Sequence, residues 1–537
     1  MMPGCVEWPE EVAERYRREG YWRGETLGDL LRRLAGTHGA KTALVSGDSR
    51  WSYAELDARA DRLAAGLREL GVGRGDRVLV QLPNIPELVF LCFALFRVGA
   101  APVLALPPHR HSEIGPLAEA AGAVAYVVPD TCQGFDHREL ARQVRASTPS
   151  LLHVIVVGDP QEFTALADVE RDPVPLAPPD PGDVALFLLS GGTTGRSKLI
   201  PRTHDDYVCN IRVSAENAGL NETSVYLAAL PVAHNYALGC PGVLGTLHAG
   251  GTVVLTPTPS PDDAFALIER ERVTVTGLVP SLAQLWVEAA GWSRQDLSSL
   301  RLVQVGGAAL SGELAHQVGG TLGRLQQSFG MAEGLLSQSR PDDPREVLVS
   351  TQGRPLTPAD EVRVVGKDGR DVPRGEVGEL LVRGPYTIRG YYRAPEHNAA
   401  AFTSDGFFRS GDLARLTDTG HLVIAGRVKD VINRGGDKVP AEEVEDHLLA
   451  HPEVHAVAVV AMPDPLLGER TCAYIVPRGG APSLKTIQTF LRKRGVAAYK
   501  VPDWVEDVSA LPYTPVGKVD KARLRADIAH RRGGRRP

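Results

Sequence analysis

The sequence predicts an α/β protein: a large N-terminal domain of helix-covered, mainly parallel sheets with a small β subdomain, followed by a small α+β C-terminal domain. Three observations lead there. The chain has 537 residues, too many for one compact core. Over roughly the first 330 residues, short apolar runs alternate with longer amphipathic ones, the rhythm of parallel strands covered by helices. Near residue 360 the texture changes to short antiparallel runs, and after residue 429 to a compact mixture of helices and strands.

Residues 1–25 alternate charge with aromatic rings and have no apolar segment of the signal-peptide kind. Ser52 and Glu55 have the spacing of a capping box, ahead of Leu56, Ala60, Leu63, Ala64, Leu67 and Leu70 at helical intervals, and Gly71 stops the helix. Residues 77–82 (RVLVQL) read as a strand closed by Pro83 and Asn84. The same reading applies to 124–128, 152–157, 184–189, 251–255, 273–279 and 302–305. Residues 362–365 and 378–383 are expected to be antiparallel strands joined by a tight turn at Lys367, Asp368 and Gly369. In the last part, helices are expected at 441–450 and 484–494 and strands at 454–461 and 471–476, which sets the domains at 1–428 and 429–537. The basic run 530–537 is expected to be a solvated, disordered tail.

With 59 Lys and Arg against 65 Asp and Glu, the net charge of -6 gives no general electrostatic reason to bind nucleic acid or a membrane surface. The six cysteines, Cys5, Cys92, Cys132, Cys209, Cys240 and Cys472, form no CxxC pair, which argues against a zinc site or a disulfide framework and for a reducing cytoplasm. No stretch of 18 uncharged apolar residues occurs, so a membrane span is not expected.

Chemistry concentrates in residues 188–206, LLSGGTTGRSKLIPRTHDD. The spacing is not that of a Walker loop, because Lys198 stands three residues beyond Gly195. The glycines at 71, 73 and 75 follow a helix and precede a strand, the reverse of a dinucleotide fingerprint. Consecutive backbone N–H groups, hydroxyls and a lysine can still wrap a triphosphate, although on this loop alone a polar turn of small residues remains the alternative.

Five separated segments decide between them: 190–198, Gly306-Gly307-Ala308, SFGMAE at 328–333, SGD at 410–412 with GRVKD at 426–430, and PVGKVDK at 515–521. Together, in this order, they resemble the adenylate-forming enzymes, the superfamily of acyl-CoA synthetases, nonribosomal peptide adenylation domains and firefly-type luciferases. The KLIPRTHDD extension at 198–206 and the AHNY segment at 233–236 are most similar to freestanding aryl acid adenylating enzymes, which activate salicylate or 2,3-dihydroxybenzoate for siderophores and related products.

The resemblance implies attack of a carboxylate on the α-phosphate of ATP, giving an acyl-adenylate and pyrophosphate, with ATP and Mg²⁺ as cofactors. It implies that Ser190, Gly191, Thr193, Thr194 and Lys198 wrap the β and γ phosphates. Glu333 would help hold Mg²⁺, as a hard carboxylate ligand does. Gly306, Gly307, Ser328 and Phe329 would form the adenine slot, Asp412 would accept the ribose hydroxyls, and Arg427 would lie near ribose and phosphate. Lys518 would bridge carboxylate and α-phosphate oxygens as charge builds there. The C-terminal domain would be mobile, turning about a hinge at Lys429 to withdraw Lys518 and admit a pantetheine thiol, with Lys438 touching the nucleotide in one of the two states.

For the acid, the resemblance implies a pocket of His234, Asn235, Tyr236, Cys240, Ala308 and Leu336. Amino acid adenylating domains place an aspartate at the position of Asn235 to pair an α-ammonium, so the neutral amide disfavours an amino acid. An alternative is that His234-Asn235-Tyr236 only caps a turn. Dihydroxybenzoate enzymes of this branch tend to have serine and valine where this chain has Cys240 and Leu336. A thiol is a weak donor and leucine adds a methylene, so the pocket is expected to favour salicylate over 2,3-dihydroxybenzoate. The expected acceptor is the phosphopantetheine thiol of a separate aryl carrier protein, since only 19 residues follow Lys518. Two rivals remain: an aryl-CoA synthetase, and a noncatalytic nucleotide sensor, which would be expected to lack Lys518, Glu333 or Asp412.

Overall fold

The structure is a computed structural model of the chain and describes residues 2–190, 197–308, 310–434, 437–464, 467–494, 496, 500–515 and 517–533. Among these residues, one sheet has seven strands in the order Leu199–Thr203, Val184–Leu189, Ala101–Leu104, Arg77–Val80, Ala125–Pro129, His153–Val157 and Thr164–Ala165. Its pairings are parallel except at the edge formed by Leu199–Thr203. The near-continuous apolar runs fit strands covered on both faces, and all five residues of Ala125–Pro129 are buried. The strand expected at 77–82 ends at Val80. Gln81 spends its side chain on the next turn, its Nε2 donating to Leu106 O (2.9 Å) and His109 O (3.0 Å).

A second sheet has nine strands among the described residues. Its centre, Thr42–Ser46, Thr252–Leu255, Val225–Ala228, Val275–Leu278, Leu302–Gly306 and Arg324–Met331, is parallel. Its two ends are antiparallel, with Ser49–Ser52 on one side and Gly334–Gln338 and Arg354–Pro355 on the other. Helix Pro86–Val98, apolar on all sides, lies in the core shared by both sheets, where Phe90, Phe93 and Phe96 are fully or almost fully buried. Helix Tyr53–Glu69 begins at the expected capping box: Ser52 Oγ accepts from Glu55 N (3.2 Å) and Glu55 Oε2 accepts from Ser52 N (2.7 Å). It ends before Gly71, whose φ of +84° suits a residue without Cβ.

The strands Glu361–Val365, Gly378–Arg383, Phe408–Leu416 and Leu422–Arg427 form an antiparallel sheet. The turn at Lys367–Gly369 is present, but it does not join the first two of them. It returns the chain onto the outer edge of Glu361–Val365, with Val372 N donating to Val364 O (2.9 Å) and a single bridge between Val365 and Asp371. Pro373 has no N–H to extend that pairing, so the chain turns again, Glu376 N to Pro373 O (3.1 Å), and reaches Gly378 on the opposite edge.

After the 3-10 turn Val428–Asp430, the described residues of the C-terminal unit form a separate five-stranded sheet with helices Ala441–Leu449, Leu484–Lys493 and Lys521–Gly533. The last helix corrects the expectation for the tail: it runs through His530 and Arg531, and residues 534–537 lie outside the described residues. Arg531 pairs with Asp527 (3.0 Å) and Glu506 (3.2 Å), while Leu524 and Ile528 are buried beneath, so charge compensation and an apolar stripe keep this segment helical. Among the described residues no helix is long and apolar enough to cross a membrane.

Candidate active site

The ends of the strands place the expected side chains around one junction between the two units. Strands Val184–Leu189 and Leu199–Thr203 form the neck of the glycine-rich loop. The neck closes with Ser190 N donating to Lys198 O (3.0 Å) and Lys198 N donating to Ser190 Oγ (2.9 Å). Gly191, Thr193 and Thr194 lie outside the described residues. The Lys198 ammonium stands 5.9 Å from the centre of the Tyr391 ring, and Tyr391 Oη donates to Glu333 Oε1 (2.8 Å). Tyr391 therefore connects the two groups expected at the phosphates, although no motif in the sequence marked it.

Glu333 occupies the tip of the hairpin formed by Arg324–Met331 and Gly334–Gln338, and its backbone O accepts from Ile388 N (2.7 Å). Burial raises its pKa, while the Tyr391 hydrogen bond and the Arg427 charge oppose the rise only in part. A carboxylate short of positive charge, made of hard oxygen donors, fits a divalent cation such as Mg²⁺. On the first strand of this hairpin, Ser328 lies beside Gly306 in parallel register. A Cβ at residue 306 would stand 2.4 Å from Ser328 O, so only glycine permits this approach. Gly307 follows with φ +85°, Ala308 is exposed, and Phe329 is half-buried. Ser328 Oγ accepts from the buried Gln338 Nε2 at 3.2 Å.

Asp412 and Arg427 face each other across neighbouring strands, with Arg427 Nε donating to Asp412 Oδ1 (2.9 Å). Asp412 is buried, which raises its pKa despite Arg427 and Lys518; the neighbouring carboxylate raises that of Arg427. Lys518 projects from a tight turn fixed by Thr514 N to Lys518 O (2.7 Å) and Lys518 N to Thr514 Oγ1 (3.2 Å). Burial and the Arg427 charge hold its pKa below the ordinary lysine value, against the pull of Asp412, Glu333 and Glu442. Four charged groups from four elements, Glu333, Asp412, Arg427 and Lys518, thus share one field. Glu442, at the start of helix Ala441–Leu449, adds a fifth that the sequence reading missed; burial pushes its carboxyl up to about 7.

The acid side lies alongside. His234 caps the short helix Asn235–Gly239, its Nδ1 accepting from Tyr236 N (3.3 Å), so the capping role weighed from sequence is present together with the placement at the site. Burial, helped by Lys518, lowers the His234 pKa to about 4, which makes it neutral near pH 7. Asn235 Oδ1 accepts from Tyr207 Oη (2.8 Å), and its Nδ2 points to Cys240 Sγ (3.4 Å). Cys240, Leu336 and Tyr236 belong to one apolar cluster with Cys209 and Tyr386. The Cys240 thiol is pushed up to about 12 by burial and stays protonated. Leu336 is paired with Gly330 across the hairpin, where a Cβ would meet Leu336 Cδ2 at 2.5 Å. The Tyr236 hydroxyl is buried and has no hydrogen-bond partner among the described residues. The backbone puts Lys429 in the turn Val428–Asp430 and Lys438 opposite Asn433 on strand Asp437–Pro440; their side chains lie outside the described residues.

Residues 31–392 match the family described as AMP-binding enzyme, and residues 443–518 match the AMP-binding enzyme C-terminal domain. The chain is 58% identical to the 2,3-dihydroxybenzoate-AMP ligase of Bacillus subtilis, over 99% of each chain. It is 50% identical to the salicyl-AMP ligase / salicyl-S-ArCP synthetase of Mycobacterium tuberculosis, covering 97% of this chain and 94% of that one. The solved apo structure of MbtA from Mycobacterium smegmatis superposes with a TM-score of 0.77 at 50% identity, over 97% of this chain and 98% of that one.

Proposed function

The chain belongs to the family of AMP-binding enzymes, and on that premise we propose that it activates an aryl acid, salicylate first and 2,3-dihydroxybenzoate next, and passes the acyl group to a carrier-protein thiol. It is a ligase that uses ATP. The observation that carries the proposal is the convergence of Lys518, Arg427, Asp412 and Glu333 beside the neutral pair His234 and Asn235.

In the first step a carboxylate oxygen attacks the α-phosphorus and pyrophosphate leaves. Two anions must approach, and Lys518 and Arg427 offset their repulsion in a site poor in water. Asp412 accepts from the ribose hydroxyls while its second contact, to Arg427, keeps that guanidinium near the phosphate. Ser190, Gly191, Thr193, Thr194 and Lys198 hold the outer phosphates. Glu333 would hold Mg²⁺, which supplies charge neutralisation on phosphate oxygens. Gly306, Gly307, Ser328 and Phe329 receive the adenine. Neutral His234 adds no competing charge beside Lys518.

In the second step the thiol sulfur attacks the acyl carbon, loses its proton, and AMP departs. We place the hinge at Lys429, between the units 1–428 and 429–537, with Lys438 meeting the nucleotide after rotation. A thiol at residue 240 bonds a ring 3-hydroxyl poorly, and Leu336 fills the adjoining space, which supports salicylate.

ATP–pyrophosphate exchange with a panel of aryl acids tests this reading. The expected order is salicylate, then 2,3-dihydroxybenzoate, then unsubstituted benzoate. Exchange with no aryl acid would support a nucleotide sensor instead. Exchange followed by preferential loading of free coenzyme A would support a CoA synthetase.

A further inference from the structure

One buried network runs from the outgoing strand of the glycine-rich loop to the acid pocket. Arg202, with no exposed surface, donates from Nε to Asp206 Oδ1 (2.7 Å), from Nη1 to Ala332 O (3.0 Å) and from Nη2 to Tyr386 O (3.1 Å). Its guanidinium carbon lies 4.9 Å from the centre of the Tyr207 ring. Tyr207 is equally buried, and its hydroxyl donates to Asn235 Oδ1 at 2.8 Å. Asn235 Nδ2 then faces Cys240 Sγ at 3.4 Å.

The direction of this chain of bonds is decided by what each atom can do. An amide oxygen only accepts and an amide nitrogen only donates. Were the Asn235 amide turned over, its nitrogen would donate to Tyr207 Oη, and the phenolic hydrogen would then need another acceptor inside a sealed, apolar surrounding. A buried donor without a partner costs on the order of 1–3 kcal/mol. With Tyr207 donating, its phenolic hydrogen is satisfied, and both hydrogens of Asn235 Nδ2 lie on the side of Cys240. The Cys240 sulfur uses one of them, and the other is left for the acid.

We infer that Tyr207 is a positioning residue for acid selection: its hydroxyl fixes the Asn235 amide with nitrogen toward the acid, so that the pocket recognises an ortho substituent that accepts a hydrogen bond and rejects one that only donates. The inference rests on the aryl acid reading above. It assigns to Asn235 a donor role that follows from Tyr207, a residue that touches no substrate itself. Salicylate, with lone pairs on its ortho oxygen, satisfies such a pocket. Anthranilate, whose ortho amine presents hydrogens and has its lone pair drawn into the ring, does not.

The test is exchange by the full chain with salicylate and anthranilate, in the wild type, Tyr207→Phe and Asn235→Ala. Phenylalanine keeps the ring beneath Arg202 and removes only the oxygen, so the amide is free to turn. The ratio of kcat/KM for salicylate over anthranilate is expected to fall about tenfold in Tyr207→Phe, partly by a gain for anthranilate, with the change carried by KM of the acid and not of ATP. Loss of packing alone would lower both acids together and leave the ratio in place. A ratio unchanged in Tyr207→Phe but collapsed in Asn235→Ala would overturn the role of Tyr207 and leave the aryl acid reading intact. Absence of exchange with every aryl acid in the wild type would remove that reading itself. Should Tyr207→Phe fail to fold, a wild-type preference for anthranilate over salicylate overturns the inference alone, and a wild-type preference for salicylate upholds the donor orientation.

Discussion

Lys518 of the C-terminal unit lies against Gly307 of the large unit, its Cε 3.6 Å from the point a Cβ on residue 307 would occupy. The contact engages the stem of the lysine side chain, which under the proposed function would hold its ammonium where nucleotide and acid meet. The ammonium is left for whatever anions meet there.

Lys518→Ala is expected to lower salicylate-dependent exchange by at least about a hundredfold, the scale of removing one preorganised charge from a developing anion. Thiol transfer from supplied salicyl-adenylate is expected to persist, because the lysine withdraws before that step in the proposed cycle. Single-turnover measurement of both half-reactions checks this; equal loss in both contradicts the division.

Cys240→Ser with Leu336→Val is expected to raise kcat/KM for 2,3-dihydroxybenzoate relative to salicylate by about tenfold, since the serine hydroxyl would pair the 3-hydroxyl that a thiol leaves unsatisfied. An unchanged ratio in the exchange assay would remove these two walls as the basis of selection.

Tyr391→Phe is expected to move the acid limb of the exchange rate to higher pH by about one unit, the worth of a hydrogen bond to a charged group. The sign follows from the Tyr391 hydroxyl, which lowers the Glu333 pKa against the effect of burial. Without it, Glu333 ionises only at higher pH, and more Mg²⁺ is needed for half-maximal rate. A pH profile at two Mg²⁺ concentrations checks both.

His204 supplies a stability test away from the chemistry. Its Nδ1 accepts from Leu27 N (3.2 Å), and burial lowers its pKa from 6.5 to about 4. A histidine whose folded pKa lies below its unfolded one binds its proton more readily when unfolded, so stability falls as pH drops from 6.5 toward 4. Asp360 and Glu442, both pushed up to about 7 by burial, act in the opposite direction, so the readout is a difference between proteins. Between pH 6.5 and pH 4.5 the wild type is expected to lose about 2 kcal/mol more than His204→Asn in urea unfolding. Equal losses would show that the imidazole binds its proton as readily in the folded state as in the unfolded one.

The sequence is legible where the physics is local. The Ser52 and Glu55 cap needs only its own turn, and the apolar runs of the parallel strands need only burial on two faces. The turn at Lys367–Gly369 is legible in the sequence, but its destination is not, because Pro373 decides it from four residues downstream of Gly369. At the site, resemblance named the groups that meet at the junction. Tyr391 and Tyr207 escaped, since their partners Glu333 and Asn235 are 58 and 28 positions away and no spacing rule links them. Glu442 escaped because a glutamate in the first turn of a helix reads as an ordinary dipole partner until the fold buries it.

The hairpin that bears Glu333 at its tip also bears Leu336 on its return strand, in register with Gly330. Under the proposed function, a lineage retuning its preferred acid at position 336 is free to exchange side chains but not to lengthen or shorten this hairpin, because any indel would also displace the Glu333 carboxylate. Diversification along this wall is channelled into point substitution, with the energy-coupling half of the enzyme carried along unaltered.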